Sequence, residues 1–320
     1  MSRTGPPQVL ADPLSQLAAT LGDAMALLHA AAYAPEFVPA AQTNESTLLE
    51  QCLTLCAQHA AKVPEPIRTI HHFACTGGTL FSKCIAAMPN VQLLSELDPL
   101  SPHSLPSDKP RFSPTDMNLL LQQATRMADP TLLLEMFQRD LGAIYDASTK
   151  AGLRLVLRDH THSHFCRGGA VALRPTFREI VAQGFAVLSV ITVRHPLDSF
   201  AALTDNRWLQ FQPQTADEYC LRYSLFLDAY PNVPIVRYED FVADPHGQMQ
   251  QICQILDLPY ADSFAETFSV FKLSGDSGRS ANAIGTRAAR GTAAQLSHEV
   301  LALPSYLKLA ARLGYELERS

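Results

Sequence analysis

One stretch of the chain has the residue types of an anion-binding turn. Phe73-Ala74-Cys75-Thr76-Gly77-Gly78-Thr79 lies between a short apolar run and a segment of helical composition that continues to about Met88. A turn of this kind leaves backbone N–H groups unpaired at a helix N-terminus. Those donors and the helix dipole together favour an anion, most often a phosphate. Two adjacent glycines let the backbone approach a ligand with no Cβ in the way, and Thr76 and Thr79 add hydroxyl donors. The Gly-Lys-Ser/Thr ending of an NTPase loop is absent. Further clusters of polar, titratable residues follow other apolar runs: Ser95-Glu96 after Val91–Leu94, Arg158-Asp159-His160-Thr161-His162 after Leu153–Leu157, and Arg194-His195 after Ala186–Val193. Arginine stays charged and forks onto two oxygens. Imidazole titrates near working pH, and a buried carboxylate can be raised towards it.

The elements that must position these residues alternate. Thr69–Ala74, Val91–Leu94, Leu153–Leu157, Ala186–Val193 and Val233–Val236 read as strands, apolar throughout. Helices are predicted over about 80–88, 115–127, 130–150 and 177–183, from Pro196 onward, over 215–229 behind a Thr215/Glu218 cap, from Asp244-Pro245 to Leu256, and over 306–313. This pattern predicts an α/β fold, a parallel sheet flanked by helices on both faces. Such sheets bind ligands outside the carboxyl ends of their strands, where Thr76–Thr79, Glu96, Arg158–His162 and Arg194 fall. Taken alone the glycine turn reads equally well as an ordinary strand-to-helix connection, and its place among these strand ends tips the balance. Upstream, Asp12-Pro13 opens one helical pattern and Thr47 a second. Residues 1–65 are therefore expected to form an N-terminal helical extension, followed by the α/β domain over 66–320.

Composition sets bounds. The 320 residues are 47% hydrophobic, enough to bury a full core, and the net charge of −6 argues against a nucleic-acid-binding surface. No run of about 18 apolar residues suggests a transmembrane segment, and the N-terminus lacks the pattern of a secretory signal. Seven scattered cysteines without zinc spacing suggest free thiols in a reducing, cytoplasmic setting and no metal site. Nothing in the chain sets an oligomeric state.

Three stretches resemble the sulfotransferases that use 3′-phosphoadenosine 5′-phosphosulfate (PAPS). Phe73–Lys83 is similar to that family's 5′-phosphosulfate loop. Val190-Ile191-Thr192-Val193-Arg194-His195-Pro196-Leu197-Asp198-Ser199 is similar to its 3′-phosphate segment, and Ile235-Val236-Arg237-Tyr238-Glu239-Asp240 with Asp244-Pro245 to a structural signature. Ser274–Arg279 looks like its late glycine-containing loop. The resemblance runs from about Ile67 to Arg290 and implies a P-loop-like fold, PAPS as donor, 3′-phosphoadenosine 5′-phosphate (PAP) as product and no metal. It departs in two places. Thr76 stands where many members have a lysine, and Ala202 stands where a serine usually follows the arginine by eight residues.

Carried over position by position, the resemblance implies that Thr76, Gly77, Gly78, Thr79 and Leu80 hold the 5′-phosphate end. Arg194 and Ser199 would bind the 3′-phosphate, with Gly275, Gly278 and Arg279 closing over the nucleotide. Arg158 is the expected substitute for the missing loop lysine. His160 is the first candidate for general base, with His162 and Glu96 as alternatives. The implied acceptor is a hydroxyl or amine of a small molecule or carbohydrate. Competing readings are a P-loop phosphotransferase or NTPase, and a non-catalytic PAP-binding protein. Tyr238, Glu239 and Asp240 are expected to brace a strand end.

Overall fold

In the computed structural model the described residues are 64–102, 114–126, 129–275, 283–285 and 291–315, with Gly22 and Glu50 before them. The chain divides into two compact units, Met1–Val63 and Pro64–Ser320. The predicted N-terminal helices lie outside the described residues, as do Gly278, Arg279 and positions 103–113 of the Leu97–Pro114 loop.

In chain order the second unit holds β1 (Ile67–His72), α1 (Gly78–Ala86), β2 (Val91–Leu97), α2 (Met117–Gln122), α3 (Pro130–Lys150), β3 (Arg154–Asp159), α4 (Thr161–Phe165), β4 (Arg167–Gly168), α5 (Phe177–Ala182) and β5 (Val187–Val193). It continues with α6 (Pro196–Asp205), β6 (Gln210–Phe211), α7 (Ala216–Ala229), β7 (Ile235–Arg237), α8 (Tyr238–Ala243), α9 (Pro245–Ile255), α10 (Phe264–Thr267), α11 (Gly291–Val300) and α12 (Pro304–Arg312). Among the described residues the main sheet has five strands in the order β2-β3-β1-β5-β7, and β4 and β6 form a small second sheet. Every pairing is parallel. The expected α/β architecture is therefore present. Connections leave β1 towards β2 on one side and later cross to β5 on the other, so the carboxyl end of β1 lies at the topological switch point.

Central placement explains why β1 is buried along its whole length although four of its six residues are polar. Each polar side chain must then find a partner inside. Arg68 donates from Nε to the Leu256 carbonyl at 2.8 Å and from Nη1 to Pro66 at 2.7 Å. The Thr69 and Ser189 hydroxyls meet at 2.7 Å. Register puts Ile70 beside Arg158, and alternation then sorts the next residues. Arg158 and His72 share the face of Ile70, which α1, α8 and α9 cover with Phe81, Ile85, Phe241 and Ile252. Asp159 and His71 share the opposite face, where His71 Nδ1 and the Tyr230 hydroxyl each lie 2.7 Å from Asp159 Oδ2.

Several element boundaries differ from expectation. β1 ends at His72, two residues early, because Phe73 turns into the core packed against α7. β3 runs on through Arg158 and Asp159, which belong to the strand instead of following it. The β2–β3 pairing carries them, resuming at Leu97↔Asp159 after an irregularity between Leu94 and Leu97. The Thr215 and Asp244 caps form as the sequence suggests, accepting from Glu218 and Gly247 at 3.3 and 3.0 Å. Helix α11 lies in an Ala- and Arg-rich stretch where no helix was expected. No helix among the described residues is long and apolar enough to cross a membrane.

Candidate active site

The turn after β1 holds Cys75 at φ 63° and Gly77 at φ 89°. These left-handed residues around Thr76 turn the backbone so that successive N–H groups face one way. Gly77 caps α1 with no side-chain cap. The N–H groups of Gly77, Gly78 and Thr79 have no partner among the described residues, whereas that of Leu80 donates to the Gly77 carbonyl at 2.9 Å. Both glycines are required by what backs them. A Cβ on Gly77 would come 2.5 Å from Tyr238 Cδ2, and one on Gly78 would overlap the His72 ring. The cradle is thus floored by two rings and open on its N–H side.

Two expected contributors to this cradle point elsewhere. Thr76 is fully buried, and its hydroxyl donates to the Phe73 carbonyl at 2.8 Å with the Thr192 carbonyl at 3.3 Å. A hydroxyl has one proton, and here it ties the turn to its own strand, so Thr76 braces the loop and offers no donor to a ligand. Leu80 has spent its N–H on Gly77, and its side chain packs on the core that covers this face of the sheet. Thr79 remains on the site side, where its Oγ1 accepts from Arg158 Nη2 at 3.1 Å.

Arg158 is the hub. It is 3% exposed, and its guanidinium is held on every side. Nε donates to His72 Nε2 at 2.9 Å, Nη1 to Ser95 Oγ at 3.1 Å and to the Ser274 carbonyl at 3.4 Å, and Nη2 lies 2.7 Å from Glu96 Oε1. Guanidinium has no acceptor, so His72 Nε2 must be the bare nitrogen. Its Nδ1–H is then the donor to the Phe73 carbonyl at 3.2 Å. Burial first, and then the Arg158 charge, hold the His72 imidazolium well below its ordinary range, so the ring is neutral.

Glu96 occupies a strained position. It has φ 63°, a region that costs a non-glycine residue about 1–3 kcal/mol, and it lies in the interval where the β2–β3 register shifts. The distortion directs its carboxylate between Arg158 and His160, whose Nε2 is 3.5 Å from Glu96 Oε2. Gly275 closes over this carboxylate, since a Cβ there would overlap Oε1. Ser95 Oγ donates to the Ser274 carbonyl at 3.0 Å and Ser274 Oγ to the Ser95 carbonyl at 2.7 Å, fastening the late loop to the end of β2. The His162 ring lies 6.2 Å from that of His160, nearly parallel. Its neighbour His164 turns inward, with Nε2 3.0 Å from the Ala172 carbonyl.

Across the switch point Arg194 follows β5. Its guanidinium lies 4.8 Å over the Tyr238 ring and 3.9 Å from Asp198. Its Nε is buried with no hydrogen-bond partner among the described residues. A buried, unsatisfied donor on a cation is expensive in isolation and fits an anion that is part of the working site. Ser199, expected beside it, is fully buried and donates to the His195 carbonyl at 3.0 Å. Its hydroxyl is spent on its own helix terminus. The bracing expected of 237–240 is visible: Arg237 forks onto Asp240 at 2.7 and 2.9 Å, and Glu239 accepts the His195 N–H at 3.0 Å. Tyr238 does more than brace. One ring touches both the anion cradle at Gly77 and the Arg194 guanidinium.

Thus Gly77, Gly78, Thr79, Arg158, Glu96, His160 and Gly275 converge, Arg194 stands at the other end of Tyr238, and Thr76, Leu80 and Ser199 serve the scaffold. Residues not anticipated as functional are His72, Ser95, Tyr238 and Ser274. Only the strand alternation after Ile70 hinted at His72, and that hint needed the β1–β3 register.

Comparison with known proteins finds a family match in one segment. Residues 186–262, which span β5, Arg194 and the elements through α9, match the model of the sulfotransferase family. That segment is therefore similar to the sulfotransferase family. No curated protein matches the sequence. Solved structures with similar folds include a sulfotransferase domain from the curacin biosynthetic pathway, 18% identical, covering 80% of this chain and 99% of that one with a TM-score of 0.45. The sulfotransferase domain of the Synechococcus PCC 7002 olefin synthase is 20% identical over 80% and 96% of the two chains, with a TM-score of 0.46. A mouse sulfotransferase complexed with PAP is 11% identical over 81% and 93%, with a TM-score of 0.37.

Proposed function

We propose that this sulfotransferase takes its sulfuryl group from PAPS and delivers it to a hydroxyl or amine of a small-molecule or carbohydrate acceptor. The observation that carries the reading is the pairing of an open N–H cradle at Gly77–Thr79 with an unsatisfied Arg194 Nε, two anion-binding features joined by the single Tyr238 ring. A nucleotide with phosphate at both its 5′ and 3′ positions fits that donor set. Bound there, it supplies an activated sulfuryl group on its 5′-phosphate.

The chain's own residues would then divide the work. Gly77, Gly78 and Thr79 N–H groups hold the 5′-phosphate, and Arg194 meets the 3′-phosphate in charge-assisted hydrogen bonds. Arg158 neutralises charge that builds on the sulfuryl oxygens and on the bridging oxygen, the task a preorganised cation performs best in a water-poor site. His160 accepts the acceptor's proton at one ring nitrogen, while the Glu96 carboxylate at 3.5 Å from Nε2 orients the ring and stabilises the imidazolium that forms. Glu96 serves as that orienting partner, since its other oxygen is engaged by Arg158 at 2.7 Å.

Calorimetric titration with PAP, with magnesium-ATP as comparison, tests the reading. PAP should bind in the roughly micromolar range or tighter, about −8 kcal/mol, without added metal, and ATP should bind much more weakly. Preference for magnesium-ATP would overturn it in favour of phosphoryl transfer.

A further inference from the structure

The missing loop lysine leaves a cation to be supplied, and a buried arginine on a strand is useful only if its fork is aimed. We propose that His72 is the positioning residue that aims Arg158, fixing the guanidinium through Nε so that Nη2 faces the N-terminus of α1 at Thr79 Oγ1. This rests on the reading of a sulfuryl donor at this site.

The His72 ring is held at both nitrogens and on one face. Its backbone carbonyl accepts from the Thr161 hydroxyl. Nδ1–H donates to Phe73 at 3.2 Å, which leaves Nε2 as the acceptor for Arg158 Nε–H at 2.9 Å. One face of the ring lies flush on Gly78, where no Cβ fits. A ring locked in this way presents one lone pair in one direction. An arginine that gives its Nε–H to that lone pair cannot rotate its fork, and Nη2 stays within 3.1 Å of Thr79 Oγ1 at the cradle. Gly78 thereby serves twice, as an open N–H towards the ligand and as a flat seat for the ring. His72 does not touch the ligand, so it acts through Arg158 alone.

The test compares PAPS with PAP, which differ by the sulfuryl group that Arg158 would face. Affinities for both are measured by calorimetry in the wild type, His72→Gln and His72→Met. Glutamine carries an oxygen where Nε2 stands, and methionine has similar length with no comparable acceptor. The expected result is a fall in the PAPS-to-PAP affinity ratio of about tenfold in His72→Met, the scale of one charge-assisted bond. PAP affinity should be unchanged and the ratio largely restored in His72→Gln. Equal losses for both ligands, or no loss in His72→Met, would overturn the proposal. Independently of any ligand, ¹⁵N–¹H correlation spectra of the wild type should show His72 protonated at Nδ1 and bare at Nε2. The opposite tautomer would overturn it even if a variant failed to fold. A wild type that shows this tautomer but binds neither nucleotide would instead sink the donor reading.

Discussion

At the scale of single residues, the site separates charge by purpose. Among the described residues Arg158 is enclosed by His72, Ser95, Ser274, Thr79 and Glu96, whereas Arg194 has an unsatisfied Nε, with Asp198 at 3.9 Å and the Tyr238 ring beneath it. Arg194→Ala should therefore weaken PAP binding by about 1.5–3 kcal/mol, the worth of hydrogen bonds to a charged group. Its thermal unfolding should stay near that of the wild type, because the side chain supports little of the fold. Unchanged PAP affinity by calorimetry would remove the 3′-phosphate site. His160→Ala is expected to cut turnover by about 100-fold or more while leaving PAP affinity nearly intact, as loss of a proton acceptor does. Single-turnover kinetics with radiolabelled PAPS would check this once an acceptor is in hand. Near-normal turnover would transfer the role to His162 or Glu96.

At the scale of elements, the turn into α1 is set by what lies beneath it. Gly77 combines φ 89° with a Cβ position 2.5 Å from the Tyr238 ring. Gly77→Ala should destabilise the domain by about 1–3 kcal/mol through backbone strain and displacement of the ring. Because Tyr238 also lies under Arg194, PAP affinity should fall together with stability. A denaturant titration that shows wild-type stability, or a loss of stability without loss of PAP binding, would contradict this coupling between α1 and α8.

At the scale of the whole molecule, two inward histidines tie stability to pH. His72 and His164 are both held below the ordinary 6.5, chiefly by burial. Between 6.5 and their lowered folded values the unfolded chain binds more protons than the native one. Their contribution is therefore fully present above pH 6.5 and is lost as pH falls below it. Unfolding free energy should drop by up to about 1.4 kcal/mol per pH unit for each histidine, and His72→Gln should flatten the slope by one such share. Denaturant titrations between about pH 7.5 and 5, the window where a lowered imidazole separates from its unfolded value, would show it. A wild-type slope unaffected by His72→Gln would count against a neutral, buried His72.

What the sequence determined by itself is local and periodic. Apolar runs alternating with helical patterns dictated a parallel sheet. Paired glycines before a helix, set among polar strand ends, suggested an anion cradle. Cap residues such as Thr215 and Asp244 started helices where they stand. Motif order placed Arg158, His160, Glu96 and Arg194 near strand ends. Tertiary structure decided which way side chains face, because facing depends on strand register and on neighbours far along the chain. It put Thr76 and Ser199 inward, where their single hydroxyl protons are consumed by backbone carbonyls. It also drew Arg158 into β3 beside Ile70, two residues from His72 on the same face. The dipeptides His71-His72 and Arg158-Asp159 look alike in the sequence as pairs of polar residues. Only the pleat divides them, sending one His–Asp pair into the core and one His–Arg pair to the site.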